Sequence, residues 1–222
     1  MKQLGLPVLL NAKMQLNNFI GNKNSQILTF INTLFDHNNS SVVMVLGEQS
    51  SGKTHLLQGC AVAAMGKQLS ALYIDIKQEL PEGFIAGLSG ADWACIDNID
   101  YLNNTQQQEL FDLYNQIKYT QTKLILSAEH LSATLLKDLK TRLSQGVNFT
   151  LENLTDTQKI TILQSKMTQK NIRIDKKIYA YLFKHYSRDL SELLDAINQL
   201  DTASLQTKGS ITIPLIKKTL HK

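Results

Sequence analysis

Apolar positions along the chain follow two different rhythms. Up to about residue 127, short β-branched or apolar runs alternate with segments of helical period, and from about residue 153 only the helical period remains. The runs Val42-Val43-Met44-Val45-Leu46, Leu72-Tyr73-Ile74-Asp75-Ile76, Trp93-Ala94-Cys95-Ile96-Asp97 and Lys123-Leu124-Ile125-Leu126-Ser127 predict four strands. Near-continuous apolarity of this kind is what a parallel sheet covered on both faces requires. Residues 25–35, before the first strand, and 105–119, between the last two, carry a helical stripe, and the stretch from His55 to Ala64 reads as a helix. Asp36-His37-Asn38-Asn39-Ser40 supplies the turn chemistry that ends the first of these before a strand. Strands alternating with helices predict an α/β fold, a parallel sheet flanked by helices, with its ligand at the carboxyl ends of the strands.

The second rhythm predicts a small all-helical lid. Thr155-Asp156-Thr157-Gln158 is a capping box opening a helix to about Gln169. A second helix holds Ile178, Tyr181, Leu182 and His185, and a third holds Leu190, Leu193, Leu194, Ile197 and Leu200. Pro214 fits the first turn of a last short helix. Residues 1–12, apolar without a period, read as a tail, 13–152 as an α/β base and 153–222 as the lid.

Composition narrows the field modestly. The 222 residues suffice for a real core, and the net charge of +4 does not demand nucleic acid. No apolar run approaches the ~18 residues of a membrane span. Cys60 and Cys95 fall in predicted core elements and read as reduced thiols, so a cytoplasmic location is expected. All but three of the 23 basic residues are lysines, which singles out Arg142, Arg173 and Arg188.

The chemistry starts at Gly47-Glu48-Gln49-Ser50-Ser51-Gly52-Lys53-Thr54, a complete G-x-x-x-x-G-K-[ST] loop between a predicted strand and helix. Its backbone N–H groups can curl round a phosphate at the positive end of that helix. Lys53 would supply a point charge to the outer phosphates, and the Thr54 hydroxyl would hold Mg²⁺. Asp97, ending an apolar strand, is placed to handle the same Mg²⁺ through water. Its neighbour Asn98 cannot act as the base that polarises an attacking water, so binding is better supported than turnover unless Asp100 or Glu129 substitutes. His55 can bond nucleotide or backbone. Arg142 and Arg188 can each reach a phosphate, Arg142 a neighbour's, or each can make a surface ion pair, for instance Arg188 with Glu192. Arg173, beside Asp175, reads as structural.

At the amino end, Gln3-Leu4-Gly5-Leu6-Pro7-Val8 resembles the short peptides by which many bacterial proteins dock on the DNA polymerase sliding clamp. Further motifs carry a wider resemblance. These are Asn18-Phe19-Ile20-Gly21, Gly52-Lys53-Thr54-His55-Leu56-Leu57, Ile96-Asp97-Asn98-Ile99, Thr141-Arg142-Leu143 and Ser187-Arg188-Asp189-Leu190. From about residue 14 the chain resembles the AAA+ core of the bacterial replication initiator DnaA, without that protein's DNA-reading domain. The tail and the missing reading head together resemble the regulatory inactivators of that family.

The resemblance implies an AAA+ regulator that binds ADP, or ATP, with Mg²⁺, docks on the clamp and stimulates ATP hydrolysis by DnaA. Under it, Gln3, Leu4, Leu6 and Pro7 contact the clamp, and Phe19 and Ile20 line the adenine site. Gly47, Gln49, Ser50, Ser51, Gly52, Lys53, Thr54 and His55 hold the phosphates, while Thr54 and Asp97 serve the metal. Arg142 is a finger offered in trans and Arg188 a lid sensor. Glu129 stands where the family tends to have Asp. DnaA and the clamp are the implied partners, homo-oligomers are open, and neither sequence-specific DNA binding nor a membrane is expected. A stand-alone DnaA-like ATPase or helicase loader is the alternative.

Overall fold

In the computed structural model, which describes residues 10–19, 25–170, 172, 174–207 and 209–220, the chain divides into two compact units, Met1–Asn153 and Leu154–Lys222. Gln3, Leu4, Leu6, Pro7, Ile20 and Arg173 lie outside the described residues.

The first unit is built on five strands: β1 (Ser41–Leu46), β2 (Ala71–Asp75), β3 (Trp93–Asp97), β4 (Lys123–Ala128) and β5 (Val147–Thr150). They form one sheet in the order β2-β3-β4-β1-β5, and every pairing is parallel. Register sorts the side chains into two faces, because successive residues of a strand point to opposite sides. One row, Tyr73, Cys95, Ile125 and Val43, packs under α1 (Ser25–Leu34) and α2 (Lys53–Gly66). The next, Ile74, Ile96, Leu126 and Met44, packs under α3 (Asn104–Gln116) and α4 (Lys137–Gln145).

The strand β5 has no counterpart in the hydrophobic pattern. Its residues Val147-Asn148-Phe149-Thr150 are mostly exposed, as befits a short edge strand. What holds it is backbone pairing to β1, with Val43 opposite Val147 and Leu46 opposite Thr150. Between β2 and β3 there is a 3-10 turn, Ala86–Gly90, and Ile85 and Leu88 plug the core there. The helix α2 is buried nearly all round, with Leu56, Leu57, Cys60, Ala61 and Ala64 inside. Gly59 lets the preceding segment lie on it: a Cβ there would meet Leu16 at 3.0 Å. Both thiols are free and buried, and burial pushes their pKa values up.

The second unit comprises α5 (Asp156–Gln169), α6 (Lys176–His185), α7 (Leu190–Thr207) and α8 (Ile213–Leu220) around Leu163, Met167, Ile178, Leu182, Leu193, Ile197 and Ile216. The capping box is present: the Thr155 hydroxyl accepts from Gln158 N–H, and the Gln158 side chain accepts from Thr155 N–H. Pro214 sits in the first turn of α8. Among the described residues no helix is long and apolar enough to cross a membrane.

Candidate functional site

The turn Gly47–Gly52 joins β1 to α2, so the amino end of a 14-residue helix opens at the carboxyl edge of the sheet. Unpaired N–H groups and the helix dipole make that end attractive to anions. Two glycines are required by space. A Cβ on Gly47 would lie 2.6 Å from Ser51 Oγ and 3.1 Å from the Leu151 carbonyl oxygen. Gly52 has φ +101°, and a Cβ on it would meet the Phe19 ring at 3.1 Å. Ser50 also takes a left-handed conformation, and Gln49 is exposed at the loop tip. The Ser51 hydroxyl is buried and has no hydrogen-bond partner among the described residues.

Lys53 curls back over the loop. Its ammonium donates to the carbonyls of Gly47 at 2.6 Å and Glu48 at 2.8 Å. Burial lowers its pKa, while the charges of Asp97, Glu129 and Asp100 pull it back up. A buried cation whose hydrogen bonds go to loop carbonyls is a group that an anionic phosphate would fit. Thr54, the next residue, donates to Asp97 Oδ2 at 2.6 Å. That pairing is the arrangement a Mg²⁺ ion shared with phosphate oxygens would use. Among the described residues no group of three or more His, Cys, Asp or Glu side chains converges as a metal cage. An ion here would therefore depend on nucleotide oxygens for much of its shell.

Asp97 is fully buried, at 0% exposure. Besides Thr54 it accepts from the Tyr73 hydroxyl at 2.9 Å and from the Ser127 hydroxyl. Neither Tyr73 nor Ser127 stands out in the sequence as a site residue. The sheet register brings them in: Tyr73 opposes Cys95 and Ile125 opposes Cys95, so Asp97 and Ser127, each two residues further on, share the α2 face with Tyr73. Ser127 Oγ also accepts from Asn98 N–H at 3.1 Å. Asn98 takes a left-handed conformation (φ 61°, ψ 46°), and its amide donates to Asp75 Oδ1 at 2.8 Å. The missing second acid is thus replaced by a tie between the ends of β2 and β3. Asp100 Oδ1 is buried without a partner among the described residues, and Glu129 is exposed.

Phe19 stands edge-on to the His55 ring, centroids 5.5 Å apart. His55 Nε2 hydrogen-bonds Asn18 Oδ1 at 2.8 Å and the Gln15 carbonyl at 3.1 Å, which fastens the segment before α1 to the first turn of α2.

The two arginines are held differently. Arg142 lies on α4, its guanidinium 5.2 Å from the Phe111 ring and 5.6 Å from that of Tyr114, both on α3. Among the described residues no carboxylate pairs with it, so it is a cation resting on aromatic faces. Because β4 and β5 are parallel, α4 runs back from the loop edge of the sheet. Arg142, its sixth residue, is about 7.5 Å along that return at ~1.5 Å per residue. It also lies on the opposite face from α2. Arg188 belongs to the helical unit and pairs with Asp156 at 3.4 Å, not with Glu192. The reason is a boundary: α7 begins at Leu190, so Arg188 is outside the helix and the i, i+4 register does not reach it. Asp189 caps α7, accepting from Ser191 and Glu192 N–H.

Comparison with known proteins adds ancestry to this geometry. Residues 10–153 match the family model of the bacterial DnaA ATPase domain, and residues 156–220 match that of the Hda lid domain. An uncharacterised protein of Haemophilus influenzae is 32% identical over 228 aligned positions, covering 99% of each chain. Domain III of the Thermotoga maritima replication initiation protein DnaA superposes with a TM-score of 0.77 at 19% identity, covering 95% of this chain and 97% of that one. The AMPPCP-bound DnaA of Aquifex aeolicus gives 0.72 at 20% identity, covering 89% and 68%. The Thermotoga maritima RuvB Holliday junction branch migration motor gives 0.72 at 17% identity, covering 93% and 71%.

Proposed function

The chain belongs to the DnaA family of AAA+ proteins, with a lid of the Hda type, and from that premise we propose that it is a nucleotide-dependent regulator that switches off a DnaA-type initiator. In this reading ADP, or ATP, is held by the loop from Gly47 to His55, and Phe19 and Ile20 border the base. Mg²⁺ would be served by Thr54 and Asp97, which supply a hydroxyl ligand and a carboxylate for its waters. Arg188 in the lid would answer to the bound phosphate. Gln3, Leu4, Leu6 and Pro7 hold the DNA polymerase sliding clamp. Arg142 is delivered to the triphosphate of an adjacent DnaA molecule, where a guanidinium neutralises charge that develops as the γ-phosphoryl group leaves.

The observation that carries this is the placement of Arg142. It is a cation with no carboxylate partner among the described residues, on the sheet face opposite α2 and on a helix returning from the chain's own loop. The residue after Asp97 is an amide, Asn98, bonded to Asp75 and unable to act as a base, which favours service to a partner over self-contained turnover.

The test is ATP hydrolysis by ATP-loaded DnaA, with sliding clamp loaded on DNA, in the presence and absence of this protein. Hydrolysis should rise with it, and should fall back when Gln3→Ala and Leu6→Ala are combined, with nucleotide affinity unchanged. Rapid hydrolysis by the purified chain alone, with no effect on DnaA, would identify a stand-alone ATPase instead.

A further inference from the structure

A line of neighbouring polar side chains runs to Asp97 from a segment that precedes α1. Asn11 N–H donates to Gln58 Oε1 at 3.0 Å. The Gln58 side chain, 7% exposed on α2, lies beside the Tyr73 hydroxyl. Its carbonyl oxygen is taken by Asn11, so its NH₂ is the group that faces Tyr73. Tyr73 in turn donates to Asp97 Oδ2, the oxygen that also receives the Thr54 hydroxyl. The bond from Tyr73 to Asp97 is directional: removing the hydroxyl takes a donor from the carboxylate.

Other contacts lay the same segment on the same helix. Leu16 packs where a Cβ on Gly59 would be, and Gln15 and Asn18 hold His55. Phe19 covers Gly52 at the start of α2. The stretch from Asn11 to Phe19 therefore touches α2 at its first turn, at Gln58 and at Gly59, and it follows directly on the amino-terminal peptide.

We propose that Tyr73 and Gln58 are positioning residues for the Asp97 carboxylate, and that through them the seating of Mg²⁺-nucleotide is coupled to the anchoring of residues 11–19 on α2. The coupling is reciprocal by thermodynamic necessity: whatever Mg²⁺-nucleotide does to the anchoring, fixing the anchor does to nucleotide affinity. A partner that grips the amino-terminal peptide would then be felt at Asp97, with no direct contact to nucleotide. This rests on the nucleotide-binding reading of the loop.

Tyr73→Phe is the discriminating variant, since it keeps the buried ring and removes only the hydroxyl. ADP affinity is measured with Mg²⁺ and with EDTA, and amide hydrogen exchange of residues 11–19 is followed with and without Mg²⁺-ADP. In the wild-type chain, Mg²⁺-ADP should slow exchange in that segment. In Tyr73→Phe the gain in affinity from Mg²⁺ should shrink by about 10-fold, the usual scale for losing a group that orients a metal-site carboxylate. The slowing should shrink with it, while affinity in EDTA stays at the wild-type value. Tyr179→Phe, a buried tyrosine of the helical unit, should change neither. An unchanged Mg²⁺ gain, an equal loss in EDTA, or a wild-type exchange response in Tyr73→Phe overturns the coupling and leaves nucleotide binding standing. Failure of the wild-type chain to bind ADP overturns the nucleotide reading itself.

Discussion

Arg142→Ala separates two quantities that a merely structural arginine would change together. Within its own chain Arg142 has two ring contacts, to Phe111 and Tyr114, and no carboxylate partner among the described residues. A half-exposed cation over an aromatic ring contributes ~0.5–1 kcal/mol, so both contacts amount to about 1–2 kcal/mol. For a unit of this size that shifts Tm by about 2–8 °C, at ~2–4 °C per kcal/mol. A guanidinium acting on a transferring phosphoryl group is worth ~10³–10⁵ in rate, or about 4–7 kcal/mol at the transition state. The variant should therefore fold, bind ADP and bind clamp like the wild type, and lose at least about 10³-fold of the stimulation of DnaA-ATP hydrolysis. Arg142→Lys sharpens the comparison, since an ammonium keeps the charge and part of the ring contact but lacks the planar fork. It should recover stability without recovering most of the stimulation. Thermal melts, ADP titration and phosphate release from ATP-loaded DnaA measure the three quantities. Stimulation by Arg142→Ala at the wild-type rate would refute the trans assignment.

Three further outcomes follow from the loop and its rim. Burial lowers the Lys53 pKa below 10.5, and a bound phosphate favours the charged form, so ADP affinity should fall as pH rises through that lowered pKa, seen by titration across alkaline pH. Without nucleotide the unfolded chain binds more protons between the lowered pKa and 10.5, so Lys53 should make stability rise with pH in that window, and Lys53→Met should flatten both trends. Gly52→Ala forces a side chain into φ +101° against Phe19, at about 1–2 kcal/mol for the backbone alone; melts should show the loss and ADP titration a collapse in affinity, and unchanged affinity would contradict the loop geometry. Asn98→Asp places a carboxylate where an amide now donates to Asp75 at 2.8 Å; by itself it should destabilise the chain at neutral pH and bring no ATP turnover, and adding Asp75→Asn should restore the melting temperature.

What the sequence disclosed and what it hid divide along a physical line. Strands β1 to β4 are apolar runs because both faces of the sheet are covered, so burial wrote them into the hydrophobic pattern. Strand β5 is paired on one side only, and its polar residues carry no such record. The loop was legible because its chemistry is local: two glycines, a lysine and a hydroxyl at fixed spacing. Tyr73 and Ser127 were not, because their meeting at Asp97 depends on the register of three strands. Helix α3 is a middle case. Its Leu110 and Leu113 are core residues as the stripe predicts, but Tyr114 and Phe111 are only partly buried on its flank and serve as the bed for Arg142. A polar position, Gln107, turned inward instead: its NH₂ donates to the Leu102 carbonyl at 3.1 Å and its carbonyl accepts from Leu136 N–H at 2.8 Å. Two backbone groups that needed partners decided that side chain's direction, and no periodicity contains that information.

The two faces of the sheet carry different chemistry. On the α2 face, a carboxylate, three hydroxyls and a lysine are arranged to hold something anionic with its cation, and the next residue after the carboxylate is tied to a neighbouring strand. On the α4 face, a guanidinium lies on two rings with no carboxylate partner among the described residues. Hydrolysis needs both an organised phosphate and a cation on its far side. The return direction of α4 carries Arg142 away from the loop edge of its own sheet, which is why the proposed reading assigns that cation to the phosphate site of another molecule. Coupling between such molecules would require that they be held side by side, and that is the part the proposed reading gives to Gln3, Leu4, Leu6 and Pro7.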